Sequence, residues 1–281
     1  MTLKTALVQM TSGNDPASNL TRAEGLIRQA AAGGARFVLT PETTNIISAS
    51  RKQQAEVLQV EAADPTLARL RALAAELGIT LLIGSLGLKT GDADGRFANR
   101  SFLVGPSGDI LARYDKIHMF DVDLGNDESY RESAAYRPGD RAVVADAGFA
   151  NVGLTICYDM RFPALFRSLA TAGAKILTAP AAFTVPTGRA HWHALLRARA
   201  IENGCFVLAP AQCGTHADGG APQRKTYGHS LAISPWGEVL ADGGDGEGVT
   251  FVDLDLNDVE TARAKIPSLK HSRVFAPPEG P

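Results

Sequence analysis

The feature that most constrains this chain is the alternation of short apolar segments with longer amphipathic segments along almost its whole length. Segments of strand length and composition occur at 3–9, 37–39, 79–86, 98–104, 109–114, 150–156, 174–179, 205–210, 228–234, 238–241 and 249–254. Helical patterns occur at 17–33, 51–60, 65–77, 163–172, 189–203 and 255–264. Since strands that alternate with helices build sheets with helices on their faces, the pattern predicts an α/β fold.

Two strand pairs are separated by turn residues and not by a helix. Gly105-Pro106-Ser107-Gly108 joins one pair, and Ser234-Pro235-Trp236-Gly237 joins the other. Gly and Pro in so short a connection favour hairpins. Hairpins mixed with helical crossovers indicate a sandwich with sheets inside and helices outside. The polar segment 117–140 is predicted to be a long loop, and such loops often carry function.

The overall composition narrows the possible partners. The chain has 281 residues, 45% of them hydrophobic, with neither a linker-like segment nor a tandem repeat. This predicts one domain over 1–281, with 265–281 as a C-terminal tail. The formal net charge of −2 lacks the basic excess that nucleic acid or an anionic membrane surface requires. No apolar run reaches the length of a membrane span, so we expect neither kind of partner.

Three cysteines, at 157, 205 and 213, fit neither a disulfide framework nor a zinc motif. We therefore expect a reduced, cytoplasmic protein. Cys205 and Cys213 begin and end apolar strands and are interpreted as buried. Cys157 differs, because it lies between a strand and a helix. A nucleophile at such a turn lies near a helix N-terminus, whose free N–H groups favour a thiolate and an oxyanion.

Two charged residues are candidate helpers of this thiol, little of which is thiolate at neutral pH. Glu42 follows the apolar segment 37–39 and Pro41, and Lys116 follows the segment 109–114. A carboxylate in such a place can act as a general base, and an ammonium can hold an oxyanion. If the three strands are parallel neighbours, we expect Glu42, Lys116 and Cys157 to meet at one edge of a sheet.

These residues lie within motifs that resemble those of the nitrilase, or carbon–nitrogen hydrolase, superfamily. The motifs are Pro41-Glu42, Tyr114-Asp115-Lys116-Ile117-His118 and Gly153-Leu154-Thr155-Ile156-Cys157-Tyr158-Asp159-Met160-Arg161-Phe162-Pro163. They occur in the family's order, and the resemblance runs from about residue 3 to about residue 266. It implies a four-layer α-β-β-α sandwich, an enzyme without a metal or organic cofactor, and a homodimer or larger homo-oligomer.

The resemblance also implies a role for each residue. Cys157 is the nucleophile and Glu42 the general base, while Lys116 and the backbone N–H of Tyr158 form the oxyanion site. A second glutamate supports these groups in the family, and Glu132 matches its position here. Glu128 is a weaker match. The implied reaction is hydrolysis of a carbon–nitrogen bond in a small linear amide through a cysteine thioester, with release of ammonia.

The segment from Cys157 to Phe162 resembles the omega-amidase and deaminated-glutathione-amidase branch of the superfamily. The implied substrate is an omega-amide of a 2-oxo acid, either 2-oxoglutaramate or deaminated glutathione. Because such substrates are anionic, Arg161 and Arg189 are candidate substrate-binding residues. Phe183 is a third candidate, by contact with the substrate.

Three alternatives remain open at this point. A catalytically silent interaction protein of the same fold would not need the intact set of Glu42, Lys116 and Cys157. A nitrilase or carbamoylase of the same superfamily would follow the cysteine with different residues. A redox sensor built on Cys157 or Cys213 would need an adjacent resolving cysteine, and none is present in the sequence. His191 and His193 are two apart on a predicted helix and face different ways, so together they make a poor metal chelate.

Overall fold

The computed structural model describes residues 2–125, 129–217, 224–278 and 280. Within these residues, the helices are α1 (Pro16–Ala32), α2 (Arg51–Val57), α3 (Pro65–Leu77), α4 (Pro163–Thr171), α5 (Val185–Asn203) and α6 (Asn257–Lys265). Short 3-10 turns occur at Glu61–Ala63, Glu132–Ala134 and Cys157–Arg161. The strands are β1 (Thr2–Gln9), β2 (Phe37–Leu39), β3 (Thr80–Lys89), β4 (Phe97–Val104), β5 (Ile110–Asp115), β6 (Asp121–Asp123), β7 (Ser129–Arg131), β8 (Val143–Asp146), β9 (Asn151–Leu154), β10 (Ile176–Thr178), β11 (Phe206–Ala209), β12 (Cys213–Thr215), β13 (Lys225–Tyr227), β14 (Leu231–Ile233), β15 (Val239–Asp242) and β16 (Gly248–Asp255).

The helix boundaries follow from local sequence chemistry. Asp15 caps α1 by accepting hydrogen bonds from the N–H groups of the first turn, and Asp64 caps α3 in the same way. A proline follows each aspartate, where its missing N–H costs nothing. Gly78 ends α3 in the left-handed conformation, with φ of 61°, which a glycine adopts without strain.

Two six-stranded sheets share one pattern of strand directions. The first has the order β16-β1-β2-β3-β4-β5, and the second has the order β8-β9-β10-β11-β14-β15. In each sheet the second, third and fourth strands are parallel, and the flanking pairings are antiparallel. The carboxyl ends of the parallel strands therefore lie at one end of each sheet, where loops can present functional side chains.

The alternation of side chains along β1 shows how the layers pack. Leu3 and Leu7 belong to the core shared with the second sheet, whereas Ala6 and Val8 belong to the core beneath α1 and α3. On the second sheet, α4 packs over β9 and β10, and α5 packs over β11 and β14. The layers are thus helix, sheet, sheet and helix, which confirms the predicted α-β-β-α sandwich.

The structure differs from the predicted elements in three places. The segment 117–140, predicted to be a loop, contains the β6–β7 ribbon and the 3-10 turn at Glu132–Ala134. Helix α5 begins at Val185 and not at 189, because Pro186 occupies a first-turn position that tolerates proline. Strands β8, β12 and β13 are short and partly polar, so their sequences carry little strand signal.

Candidate active site

Cys157 lies at a sharp turn between β9 and α4, as its sequence context predicts. It begins the 3-10 turn Cys157–Arg161 and has a φ of 48°, a strained value for a residue with a side chain. Its N–H donates to the Pro180 carbonyl at 2.9 Å, which holds the turn against the neighbouring strand end. The residue is only 6% exposed. The backbone of Cys157 is therefore held in a strained conformation, and this conformation places the thiol at the end of the sheet.

Glu42 and Lys116 reach the thiol from the other sheet. β2 precedes Glu42 and β5 precedes Lys116, and these two strands run in the same direction although β3 and β4 separate them. Their carboxyl ends therefore lie at the same end of the first sheet. The expectation of three parallel neighbours in one sheet was wrong, because β9 belongs to the second sheet. The three residues meet between the sheets.

Hydrogen bonds hold the two charged members of this group. The Lys116 Nζ donates to Glu42 Oε1 at 2.8 Å, and the Cys157 thiol lies close enough to the Glu42 carboxylate for its charge to raise the thiol pKa. The other oxygen, Oε2, accepts the backbone N–H of Ala182 at 2.8 Å. Glu42 is 3% exposed and Lys116 is 2% exposed, so both charges are buried. Such a pair is stable only with complete hydrogen bonding, which these contacts supply.

Glu132 completes the arrangement from the 3-10 turn. Both of its carboxylate oxygens accept from Lys116 Nζ, at 3.0 and 2.9 Å, and Oε2 also accepts the N–H of Phe120 at 2.7 Å. The structure thus places Glu132 where the resemblance put the supporting glutamate. Glu128 lies outside the described residues. Asn99, on β4, donates to Glu42 Oε1 at 2.9 Å and to Glu132 Oε1 at 3.3 Å, so its amide nitrogen bridges the two carboxylates.

The electrostatics of the group set its protonation states. Burial raises the pKa of the Glu42 carboxyl, but the charge and hydrogen bond of Lys116 outweigh burial and lower it overall. Burial lowers the pKa of Lys116, and the charges of Glu132 and Glu42 reverse this and raise it well above its usual value. Burial and then the Glu42 charge raise the pKa of the Cys157 thiol. The resting site is therefore a neutral thiol beside an ionised carboxylate, which suits general-base activation.

A cavity of about 760 Å³ opens onto these side chains. Its described lining carries two carboxylates, Glu42 and Glu132, and the cations Arg51, Lys116, Arg131, Arg224 and Lys225. This positive balance contrasts with the net charge of −2 on the whole chain. The size falls within the range typical of small-molecule sites, and the charge favours an anionic ligand.

The candidate substrate-binding residues have different positions. Phe183 lines the cavity. The guanidinium carbon of Arg161 lies 5.4 Å from the centre of the Phe183 ring and 5.7 Å from the centre of the Tyr158 ring. Arg161 is absent from the described lining of the cavity. Arg189 is exposed on α5 and is also absent from that lining. The structure therefore does not bring either arginine to the described cavity wall.

Arg224 is one of four described cavity cations that were not predicted as site residues. Its Nη2 donates to the Ala182 carbonyl at 2.6 Å, and its guanidinium lies 5.5 Å from the centre of the Tyr130 ring. Its Nε is buried and has no hydrogen-bond partner among the described residues. Because Ala182 also donates its N–H to Glu42, one peptide residue connects Arg224 with the Glu42 carboxylate. No motif of the sequence analysis includes Arg224.

Comparison with known proteins agrees with this geometry. The carbon-nitrogen hydrolase family model matches residues 4–264. A protein of Yersinia enterocolitica named deaminated glutathione amidase is 40% identical over 271 residues, covering 95% of this chain and 92% of that protein. The crystal structure of the C. elegans NitFhit protein superposes with a TM-score of 0.89 at 35% identity, covering 97% of this chain and 65% of that one.

A third similar structure is a mutant amidase from Nesterenkonia sp. AN1. It has a TM-score of 0.76 at 28% identity, and the match covers 94% of this chain and 98% of the amidase. That structure shows the Michael addition of acrylamide at the active-site cysteine of the amidase. The family match spans nearly the whole chain, with the sandwich fold and a buried Glu–Lys–Cys group. The chain therefore belongs to the carbon–nitrogen hydrolase family, within the nitrilase superfamily, and is an enzyme that hydrolyses carbon–nitrogen bonds.

Proposed function

We propose that this amidase hydrolyses the amide that joins a 2-oxoglutaryl group to its amine, with deaminated glutathione as the main substrate and 2-oxoglutaramate as a second one. The observation that carries the proposal is a buried group at the wall of a cationic cavity, in which Lys116 donates to Glu42 and the Cys157 thiol lines the same wall. The name of the Yersinia relative supports the choice of deaminated glutathione.

The proposed reaction begins with the neutral thiol. Glu42 takes the proton of Cys157 as the sulfur attacks the amide carbon, so a C–S bond forms and the carbonyl oxygen becomes an oxyanion. Lys116 and the backbone N–H of Tyr158 stabilise this oxyanion. Glu42 then returns the proton to the departing amine as the C–N bond breaks. Water, deprotonated by the same carboxylate, attacks the thioester and releases the acid and the thiol.

Glu132 supports this cycle without touching the reacting atoms. Its two hydrogen bonds hold the Lys116 ammonium at one position, and its charge keeps that ammonium protonated. A fixed cation needs little reorganisation when the oxyanion forms, which is how such sites lower the barrier. Glu132 is therefore proposed as a positioning residue.

The leaving group differs between the two substrates. 2-Oxoglutaramate is a primary amide and releases ammonia. The scissile amide of deaminated glutathione is secondary, so its leaving group is the amino group of cysteinylglycine. Both substrates yield 2-oxoglutarate, and its formation is the common measure of turnover.

A substrate panel tests the proposal. The panel contains deaminated glutathione, 2-oxoglutaramate, glutamine, a simple nitrile and an N-carbamoyl amino acid, with each acid product quantified. We expect deaminated glutathione to have the highest kcat/KM, followed by 2-oxoglutaramate, and little turnover of glutamine. Turnover of only the nitrile or only the carbamoyl compound would instead make the chain a nitrilase or a carbamoylase.

We further propose one domain with the tail 265–281, assembled as a homodimer in the cytoplasm without a nucleic-acid or membrane partner. Large apolar side chains are exposed on α5 and on the β14–β15 hairpin, including Ile201 at 50% and Trp236 at 51%, and an interface would cover them. The described cysteines are all free thiols, which suits a reducing compartment. No described helix is long and apolar enough to cross a membrane. Light scattering at several concentrations measures the assembly, and a monomer throughout would contradict the dimer.

A further inference from the structure

A cluster of side chains that could ligate a metal ion lies outside the described lining of the cavity. It consists of His193 on α5, His229 between β13 and β14, and Asp242 at the end of β15. Each residue offers one ligand atom, and these atoms all lie within 4.8 Å of one another. His191 is not part of this cluster. The pair evaluated from the sequence as a metal chelate was His191 with His193. In the structure, the partners of His193 lie on other segments of the chain.

The donor atoms lie close enough together to be within reach of one metal ion. His193 Nε2 lies 3.0 Å from Asp242 Oδ2, and His229 Nδ1 lies 2.9 Å from Asp242 Oδ1. Ligands about 2.0–2.1 Å from a tetrahedral zinc ion stand about 3.3 Å apart, so small shifts would bring these atoms around one ion. Two imidazoles and a carboxylate are a known zinc donor set, with the fourth position left to water.

The hydrogen bonds of His229 give an independent reason. Its Nδ1 faces Asp242 at 2.9 Å, and its Nε2 faces Asp245 at 3.1 Å. An imidazole with a carboxylate at each nitrogen either carries a proton on both nitrogens or has a metal ion in place of one of these protons. With a cation at Nδ1, the Nε2–H would donate to Asp245. This is the carboxylate–histidine–metal arrangement that orients histidine ligands in metalloproteins.

The backbone around His229 is also fixed in advance. His229 has a φ of 54°, in the region that favours glycine. Its N–H donates to the Gly244 carbonyl at 2.7 Å, and its carbonyl accepts from Trp192 Nε1 at 2.9 Å. The Tyr227 ring stacks on its imidazole, with centroids 4.5 Å apart. These contacts hold the imidazole in one orientation, as a preorganised ligand requires.

We propose that His193, His229 and Asp242 form a zinc-binding site that fastens α5 to the β14–β15 edge of the second sheet, with Asp245 as a hydrogen-bond partner of His229. The side chains of the three ligands are between 22% and 38% exposed, so an ion can enter from solvent. Two aspartates balance the charge of one divalent cation. The site is separate from the catalytic group, and the proposal does not depend on the identity of the amide substrate.

Binding of Zn²⁺ to the chelator-treated full-length chain tests the site. The measurement is made in a Cys157→Ala background, so that the active-site thiol does not bind the ion. We expect one Zn²⁺ per chain by calorimetry and a higher Tm with the ion. Asp242→Asn and His193→Asn should each weaken binding about tenfold or more, and Asp245→Asn should weaken it about tenfold. His191→Asn, on the same helix, is the matched control and should bind as the parent does.

A second readout separates this site from others. Co²⁺ in place of Zn²⁺ should give the visible spectrum of a tetrahedral site with nitrogen and oxygen ligands and no thiolate charge-transfer band. Circular dichroism checks that each variant is folded. Absence of saturable binding by the folded parent would overturn the proposal. Equal Zn²⁺ affinity in the parent, His193→Asn and Asp242→Asn would also overturn it, because the ion would then bind elsewhere.

Discussion

The hydroxyl of Tyr114 donates a hydrogen bond of 2.7 Å to the carboxylate of Asp159, and this bond joins the strand before Lys116 to the turn that begins with Cys157. Asp159 is fully buried. It also accepts the N–H groups of Ile156 at 2.8 Å and His118 at 3.0 Å. Since these groups belong to segments of different sheets, one carboxylate fixes the turn that contains Cys157 relative to the segment that contains Lys116.

Replacement of Asp159 by asparagine should therefore reduce both stability and catalysis. The amide keeps the size of the side chain but loses one acceptor oxygen, and it should cost about 1–3 kcal/mol of the free energy of unfolding. We expect kcat to fall while KM changes little, because substrate contacts are untouched. Urea unfolding and steady-state kinetics measure the two effects.

The matched variant is Tyr114→Phe, which removes one of the hydrogen bonds to Asp159 and should cost about 1 kcal/mol. Its kcat should lie between those of the wild type and Asp159→Asn. If Asp159→Asn were destabilised with an unchanged kcat, the carboxylate would have a structural role only.

The pH dependence of thiol alkylation tests the protonation state of the site. Burial and the Glu42 charge raise the pKa of the Cys157 thiol above its ordinary value of 9.0. A group with a raised pKa stays protonated until the pH passes that raised value. The rate of alkylation by iodoacetamide should thus keep rising through about pH 9, the region where an ordinary thiol begins to level off.

Peptide mapping should locate the alkylated residue at Cys157, because Cys157 lines the cavity, whereas Cys205 and Cys213 are buried and absent from its described lining. A rate that is constant from neutral pH upward would indicate a thiolate already formed in the resting enzyme. In that case Glu42 would not be needed to remove the thiol proton.

Arg224→Gln tests which cation recognises the substrate. The positive charge of Arg224 and its place in the cavity wall suit a bond to a substrate carboxylate. Loss of a hydrogen bond to a charged group is worth about 1.5–3 kcal/mol, so kcat/KM for the anionic amides should fall about 10- to 100-fold, mainly through KM. Turnover of a small neutral amide should change little.

Arg189→Gln and Arg161→Gln are the matched controls, since both arginines were predicted to bind substrate and neither lines the described cavity. We expect much smaller effects on KM for Arg189→Gln, whose side chain is exposed. A larger loss of kcat/KM in either control than in Arg224→Gln would instead indicate that Arg161 or Arg189 recognises the substrate.

Much of the site could be predicted because its residues are marked locally. Glu42, Lys116 and Cys157 each follow an apolar strand, and the segment around Cys157 has the strand-turn-helix pattern of a nucleophile at the end of a sheet. Glu132 was predicted from its resemblance to a family position, and the structure places it on Lys116. Local sequence pattern made Glu42, Lys116 and Cys157 candidates, because each follows directly after a strand, and the family resemblance supplied their expected roles and the position of Glu132.

The remaining features depend on contacts between distant segments. Arg224 reaches the site through the Ala182 carbonyl, 42 positions away in the chain, and no local pattern indicates such a contact. Asn99 resembles an ordinary polar residue in a strand, and its contact with Glu42 spans 57 positions. The assignment of Cys157 to the second sheet likewise needed the strand order, since periodicity does not say which strands are neighbours.

The nucleophilic role of Cys157 is the central claim, and the turnover of Cys157→Ala tests it most directly. The substitution removes one sulfur atom from a buried side chain, so the folded structure should persist with a near-native circular dichroism spectrum. The measurement is 2-oxoglutarate released from deaminated glutathione by the purified variant. The account predicts no release above the uncatalysed background, because without the thiol no thioester can form. Release at a rate close to that of the wild type would contradict it.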